Sequence, residues 1–169
     1  MRIRPAVPDD AEALTDLHLD VWDEAYAGLV SDEVLQDRRS RREARIGTWC
    51  QIIEGSEEEH LVAQDDAGRL LGFSGYSTTR EDPGPDVPSL ELTALYVRAE
   101  AYGTGLGREM LIAAIGEEPA FLWVLDGNQR AIAFYRRHGF ELDGVTKMDP
   151  VAGLELRMVR RQTPALDCP

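Results

Sequence analysis

The sequence predicts an α/β (α+β) fold: one mixed, mostly antiparallel sheet of about seven strands, with a parallel pair at its centre and helices on both faces. Three observations carry this. Two short apolar runs, 60–63 and 70–76, flank the turn signature Asp65-Asp66-Ala67-Gly68, which reads as a β-hairpin. Further on, apolar runs at 90–97 and 121–125 enclose an amphipathic stretch, the order of a strand–helix–strand unit whose two strands run parallel. Two more strand-like runs follow at about 140–146 and 153–160.

Taken in order, residues 2–5 form a strand that Pro5 ends. Pro8-Asp9-Asp10 opens a helix with a carboxylate available as a cap. Through Tyr26, Ala11, Leu14, Leu17, Val21 and Ala25 share one face with His18 and Trp22 at its margin, opposite Asp16, Asp20 and Asp23. Gly28 ends this helix. Ser31-Asp32-Glu33 opens a short second helix, and Ser40-Arg41-Arg42-Glu43 has the spacing of a capping box for a third that reaches about Ile53. Arg38, Arg39, Arg41, Arg42 and Arg45 form the only basic cluster, read as a solvated face pairing with nearby acids. The stretch 80–88 holds three prolines and reads as a loop before the central strand. Residues 1–161 form one domain, and 162–169 form a disordered tail.

At 169 residues the chain is long enough to bury a core without staples. Its net charge of −13 argues against nucleic acid, whose phosphates need a basic footprint. No apolar run reaches the ~20 residues of a membrane span, and the N-terminus lacks a signal-peptide core, which points to the cytoplasm. Only Cys50 and Cys168 are present, so no disulfide framework is expected. No His/Cys/acid set has ligand spacing, so no metal is expected either.

The chemistry gathers between 90 and 140. Gly103, Gly105 and Gly107 let backbone N–H groups converge at a helix start, a place suited to phosphate. A P-loop fails, because Gly107 is followed by Arg108-Glu109. The dinucleotide fingerprint fails as well, because its last glycine position is Arg108. On the next helix Asn128, Ile132 and Tyr135 lie at i, i+4 and i+7, on one face, with Asn128 able to cap and Gly139 to stop it. Glu91 is the only acid in the run from Leu90 to Val97. Strand alternation puts it with Thr93, Leu95 and Val97, and partial burial there would raise its pKa toward neutrality.

Leu95-Tyr96-Val97, then Gly103-x-Gly105-x-Gly107, then Asn128-x-x-Ala131-Ile132-x-Phe134-Tyr135-x-x-x-Gly139-Phe140 resemble the motifs of the GNAT N-acetyltransferase superfamily. Ile3-Arg4-Pro5-Ala6 and Trp22-x-x-Ala25-Tyr26-x-Gly28-Leu29 extend the likeness toward one broad bacterial branch. The resemblance implies acetyl-CoA as co-substrate. Its pantetheine arm would run along Leu95, Tyr96 and Val97. Its pyrophosphate would lie on the loop Tyr102, Gly103, Thr104, Gly105, Leu106, Gly107 and Arg108, with Asn128 and Tyr135 completing the site. Tyr102 stands where the family usually has glutamine or arginine, and Arg108 or Arg98 could supply the charge instead. The resemblance also implies Tyr135 as donor to the CoA sulfur and Glu91 as general base through water.

On the acceptor side, Trp22 and Tyr26, with Trp49 as a further candidate, come from helices that fold over the cleft in this family. Together with Glu91 they are the expected substrate-binding residues. The implied reaction is N-acetylation of a primary amine on a small molecule, peptide or amino terminus by direct attack, with a homodimer as an option. Two alternatives stay open: transfer of another acyl group or to a hydroxyl, and a catalytically silent acyl-CoA-binding sensor.

Overall fold

In the computed structural model every residue is described except 56, 79–83, 85 and 163–169. Much of the proline-containing loop and nearly all of the tail, with Cys168, thus lie outside the described residues. The elements follow the order β1 (Arg2–Pro5), α1 (Ala11–Tyr26), α2 (Asp32–Ser40), α3 (Arg42–Gly55), β2 (Glu59–Gln64), β3 (Leu70–Thr78), β4 (Leu90–Val97), α4 (Leu106–Ile115), β5 (Ala120–Leu125), α5 (Gln129–Arg137), β6 (Glu141–Asp149) and β7 (Gly153–Arg160). They form a seven-stranded sheet in the order β1-β2-β3-β4-β5-β7-β6. β4 and β5 are the parallel pair, and the other neighbours described run antiparallel. The mixed sheet read from the sequence is therefore the sheet observed. The insertion of β7 between β5 and β6 is a topological detail that periodicity does not encode.

One face of the sheet carries α1 and α3, where Leu14, Leu17, Val21 and Trp49 pack on Val62, Phe73 and Tyr96. The other carries α4 and α5, where Leu111, Ala114, Ile132 and Tyr135 pack on Leu92, Leu122 and Met158. Alternation in β2 serves both faces, since Leu61 and Ala63 face α4 while Val62 faces α1.

Local chemistry explains most element ends. Ser31 caps α2, its hydroxyl accepting from the Val34 N–H. The expected capping box at Ser40 does not form. Its hydroxyl donates to the Asp37 carbonyl 2.8 Å away, so Ser40 closes α2 instead of opening α3. Asp10 does not cap α1 through its side chain. Its carboxylate accepts from the Val7 N–H at 2.9 Å and takes both arms of the Arg4 guanidinium at 2.6 and 2.8 Å. That pair ties β1 to α1, and the hydrogen bond from Arg4 holds the Asp10 carboxyl below its usual range.

One irregularity matters for function. In the β3–β4 ladder Gly75 faces Ala94 but Tyr76 faces Leu92, so Thr93 is bulged out. The extra residue reverses the parity of β4. Leu90 and Leu92 face α4, and beyond the bulge Leu95 and Val97 face it too, while Ala94 and Tyr96 face α1 and α3. The alternation that placed Glu91 on one face with Leu95 and Val97 is therefore corrected. Parity puts Glu91 on the α1–α3 side, with Ala94 and Tyr96.

Candidate active site

β4 and β5 are paired only at Glu91–Phe121 and Leu92–Leu122. Beyond Leu92 they part, and a cleft of about 540 Å³ opens between them. The β4 backbone from Thr93 to Val97 forms one wall, bonded on its far side to β3. Trp123 and Val124 of β5, with Asn128, Ala131, Phe134 and Tyr135 around α5, form the other. The glycine loop closes one end.

Of the residues expected at the cofactor site, Leu95, Tyr96, Val97, Tyr102, Gly103, Gly105, Gly107, Arg108, Asn128 and Tyr135 line this cleft. Thr104 and Leu106 stand back from it. The Thr104 hydroxyl donates to the Ala101 carbonyl at 2.8 Å and accepts from the Leu106 N–H at 3.4 Å, and the Leu106 side chain is fully buried against α4 and β4 neighbours. Gly105 caps α4 at φ +96°, a left-handed conformation that side chains rarely adopt. The first turn of α4 leaves N–H groups without intrahelical partners. Those of Gly107 and Arg108, both cleft residues, are available to an anion there.

Asn128 meets its capping expectation, accepting from the Ala131 N–H at 3.1 Å. Arg98 does not point at the phosphate end. It donates to Asp20 at 2.7 Å and to the Leu70 carbonyl at 3.0 Å, bracing β3 and β4 against α1. Sequence reasoning missed Arg130 and Arg137, which line the cleft, and Arg130 lies 3.7 Å over the Tyr102 ring. The signal was there: both sit on α5, two and nine residues after Asn128, but only the apolar and tyrosine positions of that helix were read.

Tyr135 is buried on α5. Burial, reinforced by nearby Tyr96, pushes its phenol up, so it stays protonated at any physiological pH. Glu91 is not among the residues that line the cleft; along β4 the lining begins at its neighbour Leu92. Burial pushes its carboxyl up; Lys147 opposes this, and Glu58 and Glu155 add to it. Glu58 is a second acid at the bulge, and nothing in its local sequence marks it out. It accepts from the Thr93 hydroxyl and lies 3.3 Å from His60 Nε2. Burial would raise its carboxyl, but the hydrogen bonds from His60 and Thr93 prevail and hold it low. Of the two acids, Glu91 is thus the better proton acceptor near neutral pH.

An aromatic wall lies on the α1 side of the cleft. Tyr26 and Tyr96 line the cleft, with their hydroxyls 3.0 Å apart. Trp22 packs edge-on against Tyr26 at 4.7 Å and is buried behind it. Trp49 is core: it is 6% exposed and packs edge-on against Phe73 and His60. Cys50 is packed on the α1–α3 core and does not line the cleft. Among the described residues no group of His, Cys, Asp and Glu could hold a metal ion, and no helix is long and apolar enough to cross a membrane.

Comparison with known proteins agrees with this geometry. The profile of the acetyltransferase (GNAT) family matches residues 14–140. A probable N-acetyltransferase of Mycobacterium tuberculosis is 24% identical over 163 residues, covering 92% of this chain and 89% of that protein. The L-methionine sulfoximine/L-methionine sulfone acetyltransferase of Pseudomonas aeruginosa is 29% identical over 130 residues, covering 73% of this chain and 66% of its own length. The crystal structure of the PaiA N-acetyltransferase of Thermoplasma acidophilum, solved with coenzyme A, superposes with a TM-score of 0.73 at 22% identity, covering 95% of this chain and 98% of that one. With motif, cleft and profile in agreement, the chain belongs to the GNAT family of acetyltransferases.

Proposed function

We propose that this protein moves the acetyl group of acetyl-CoA onto the primary amine of a small molecule or amino terminus, by direct attack in a ternary complex. The observation that carries the reading is the parting of β4 and β5 beside the glycine loop. It leaves the β4 edge free to bind an extended amide-bearing arm as a further strand, with its phosphate end at the α4 N-terminus. The names of the Mycobacterium and Pseudomonas relatives and the coenzyme A in the Thermoplasma structure agree with it.

Each residue then has a task. The amides of the 103–107 loop hold the pyrophosphate, and Arg108 and Arg130 add positive charge at that end. The open β4 edge aligns the thioester, and one of its N–H groups faces the oxygen on which charge develops. The acceptor arrives as an ammonium and must lose a proton before it can attack. Glu91 takes that proton through a water, its raised carboxyl suiting the task. The amine nitrogen bonds to the acetyl carbon as the carbon–sulfur bond breaks. Tyr135, held protonated by burial, gives its proton to the departing thiolate and regains one from the nitrogen, which sheds its second proton as the amide forms. No covalent enzyme intermediate is required.

The test is Glu91→Gln, assayed by thiol release from acetyl-CoA against a panel of primary amines. Turnover should fall about 100-fold, as loss of a general base does, while acetyl-CoA affinity stays within about twofold. Equal turnover from pH 6 to 9 by mutant and wild type would remove Glu91 from the role. Tight CoA binding with no thiol release by the wild type from any amine would make the protein a CoA-binding module instead.

A further inference from the structure

Lys147 is the only lysine in the chain, and the register of the sheet brings it to the mouth of the cleft. On β6 it pairs with Glu155 of β7, and Glu155 pairs in turn with Leu125 of β5. Glu91 of β4 pairs with Phe121 of β5. Residues directly opposite one another, and residues two apart on a strand, share a face. Lys147, Glu155, Leu125, Trp123, Phe121 and Glu91 therefore stand on one face of the sheet. It is the face that carries α1 and α3, but the core beneath those helices takes its strand residues from β2, β3 and β4. Lys147 and Trp123 lie beyond that core, and the lysine side chain is 47% exposed.

The Lys147 ammonium is set as an acceptor amine would be. It does not line the cleft itself. It lies 4.3 Å from the centre of the Trp123 ring and 3.3 Å from the Glu155 carboxylate. Trp123 does line the cleft, and it is the first residue of β5 past the last β4–β5 pair, Leu92–Leu122. The ammonium is thus one side chain away from the place where the strands part and the open β4 edge begins. Among charges, that of Lys147 acts most strongly on Glu91, ahead of Glu58 and Glu155. Amine and base are within electrostatic reach of each other.

Of the two cations on the Trp123 ring, Lys147 is the one able to move. Arg157, at 5.9 Å, is anchored by Asp143 at 2.8 Å, and both side chains are almost fully enclosed. The ion pair of Lys147 has a half-exposed end, and such pairs hold weakly. Its flexible four-carbon stem can carry Nζ past the edge of the indole.

We infer that Lys147 is an internal acceptor, and that the protein transfers the acetyl group of acetyl-CoA to its own Lys147 Nζ. The inference rests on the acetyl-transfer reading above. The ammonium gives one proton through water to Glu91. The free amine then bonds to the acetyl carbon as the carbon–sulfur bond breaks. The departing thiolate takes a proton from Tyr135, which regains one from the nitrogen. The products are coenzyme A, a neutral acetamide on Lys147 and one proton passed on to solvent. The acetamide no longer offsets the charge of Glu155, so the modification also alters the electrostatics beside Glu91.

The experiment incubates the full chain with acetyl-CoA and no added amine, using wild type, Glu91→Gln and Lys147→Arg. Intact mass follows the label, and peptide mass spectrometry locates it. Wild type should gain one acetyl group, at Lys147. Its rate should saturate with acetyl-CoA, fall when coenzyme A is added, and stay constant as protein concentration is raised. Glu91→Gln should slow labelling about 100-fold. Lys147→Arg should take no label, because a guanidinium stays protonated. The Met1 amine, paired with Asp66 on the opposite edge strand, is the internal control for uncatalysed acetylation. Saturation and concentration dependence carry the test should Glu91→Gln fail to fold.

Equal labelling of Met1 and Lys147, or an unchanged Lys147 rate in the urea-unfolded chain, would mean plain chemical acetylation and overturns the inference. A rate that climbs with protein concentration would mean transfer between molecules and overturns it as well. Thiol release with added amines but no label on Lys147 overturns it and leaves the acetyl-transfer reading standing. A Lys147 label with no further thiol release, whatever amine is added, supports it and sinks the external acceptor. Neither label nor thiol release sinks both.

Discussion

The hydroxyls of Tyr26 and Tyr96 meet 3.0 Å apart where α1 crosses β4, joining the aromatic wall of α1 to the strand that carries the open edge. Burial pushes both phenols up, so each stays neutral and one donates to the other. Tyr96→Phe removes the partner of the Tyr26 hydroxyl, which lines the cleft. The stability lost should be about 0.5–1.5 kcal/mol, the net worth of one hydrogen bond, read from urea unfolding. Acceptor KM should rise while acetyl-CoA affinity holds. A loss of acetyl-CoA affinity as large as the loss in acceptor KM would mean that the pair supports the β4 edge rather than the acceptor wall.

Tyr135→Phe keeps the ring that packs on Phe134 and Phe140 and removes only the donor. Under the proposed mechanism kcat should fall about 100-fold, with acetyl-CoA binding little changed. Rates equal to wild type with a confirmed acceptor would reduce Tyr135 to packing.

Lys147 offers a check on the base that leaves Glu91 itself intact. Its ammonium lowers the Glu91 pKa, and it also pairs with Glu155 at 3.3 Å. Lys147→Met removes that charge and frees Glu155, and both changes raise Glu91 further. A base works when deprotonated, so the rising acid limb of kcat/KM should move to higher pH. A limb that stays in place assigns it to another group.

Gly107 meets α5 closely. A Cβ there would lie 3.3 Å from Phe134 Cε2, so Gly107→Ala must push α4 and α5 apart or turn the Phe134 ring. The cost should be about 1–3 kcal/mol, as for other overpacked contacts. Because the same residue lines the cleft, acetyl-CoA affinity should fall with it. Unchanged thermal stability together with full CoA affinity would show that the ring yields freely.

Much of this was readable in advance because it depends on near neighbours. The amphipathic pattern of α1, the turn at 65–68 and the glycine start of α4 act over a few residues, and the folded elements follow them. Asn128 capping α5 and the shared face of Ile132 and Tyr135 belong to the same class. The basic cluster was half legible. A solvated, acid-paired face describes Arg39, Arg41 and Arg42, but nothing local distinguishes Arg38 and Arg45, whose setting comes from α1 across the fold.

By itself, the sequence determined the mixed sheet, the glycine turn at a helix start and the tyrosine on the helix that follows, since periodicity and motif spacing act through the local backbone. Tertiary structure decided which face of β4 Glu91 shares, through a bulge at Thr93 that periodicity of two cannot foresee. It brought Glu58 and His60 to that bulge, tied Arg98 to Asp20, and set Arg38 and Arg45 against His18. Those outcomes depend on which charges meet across distant segments, and burial then sets how strongly each charge is felt.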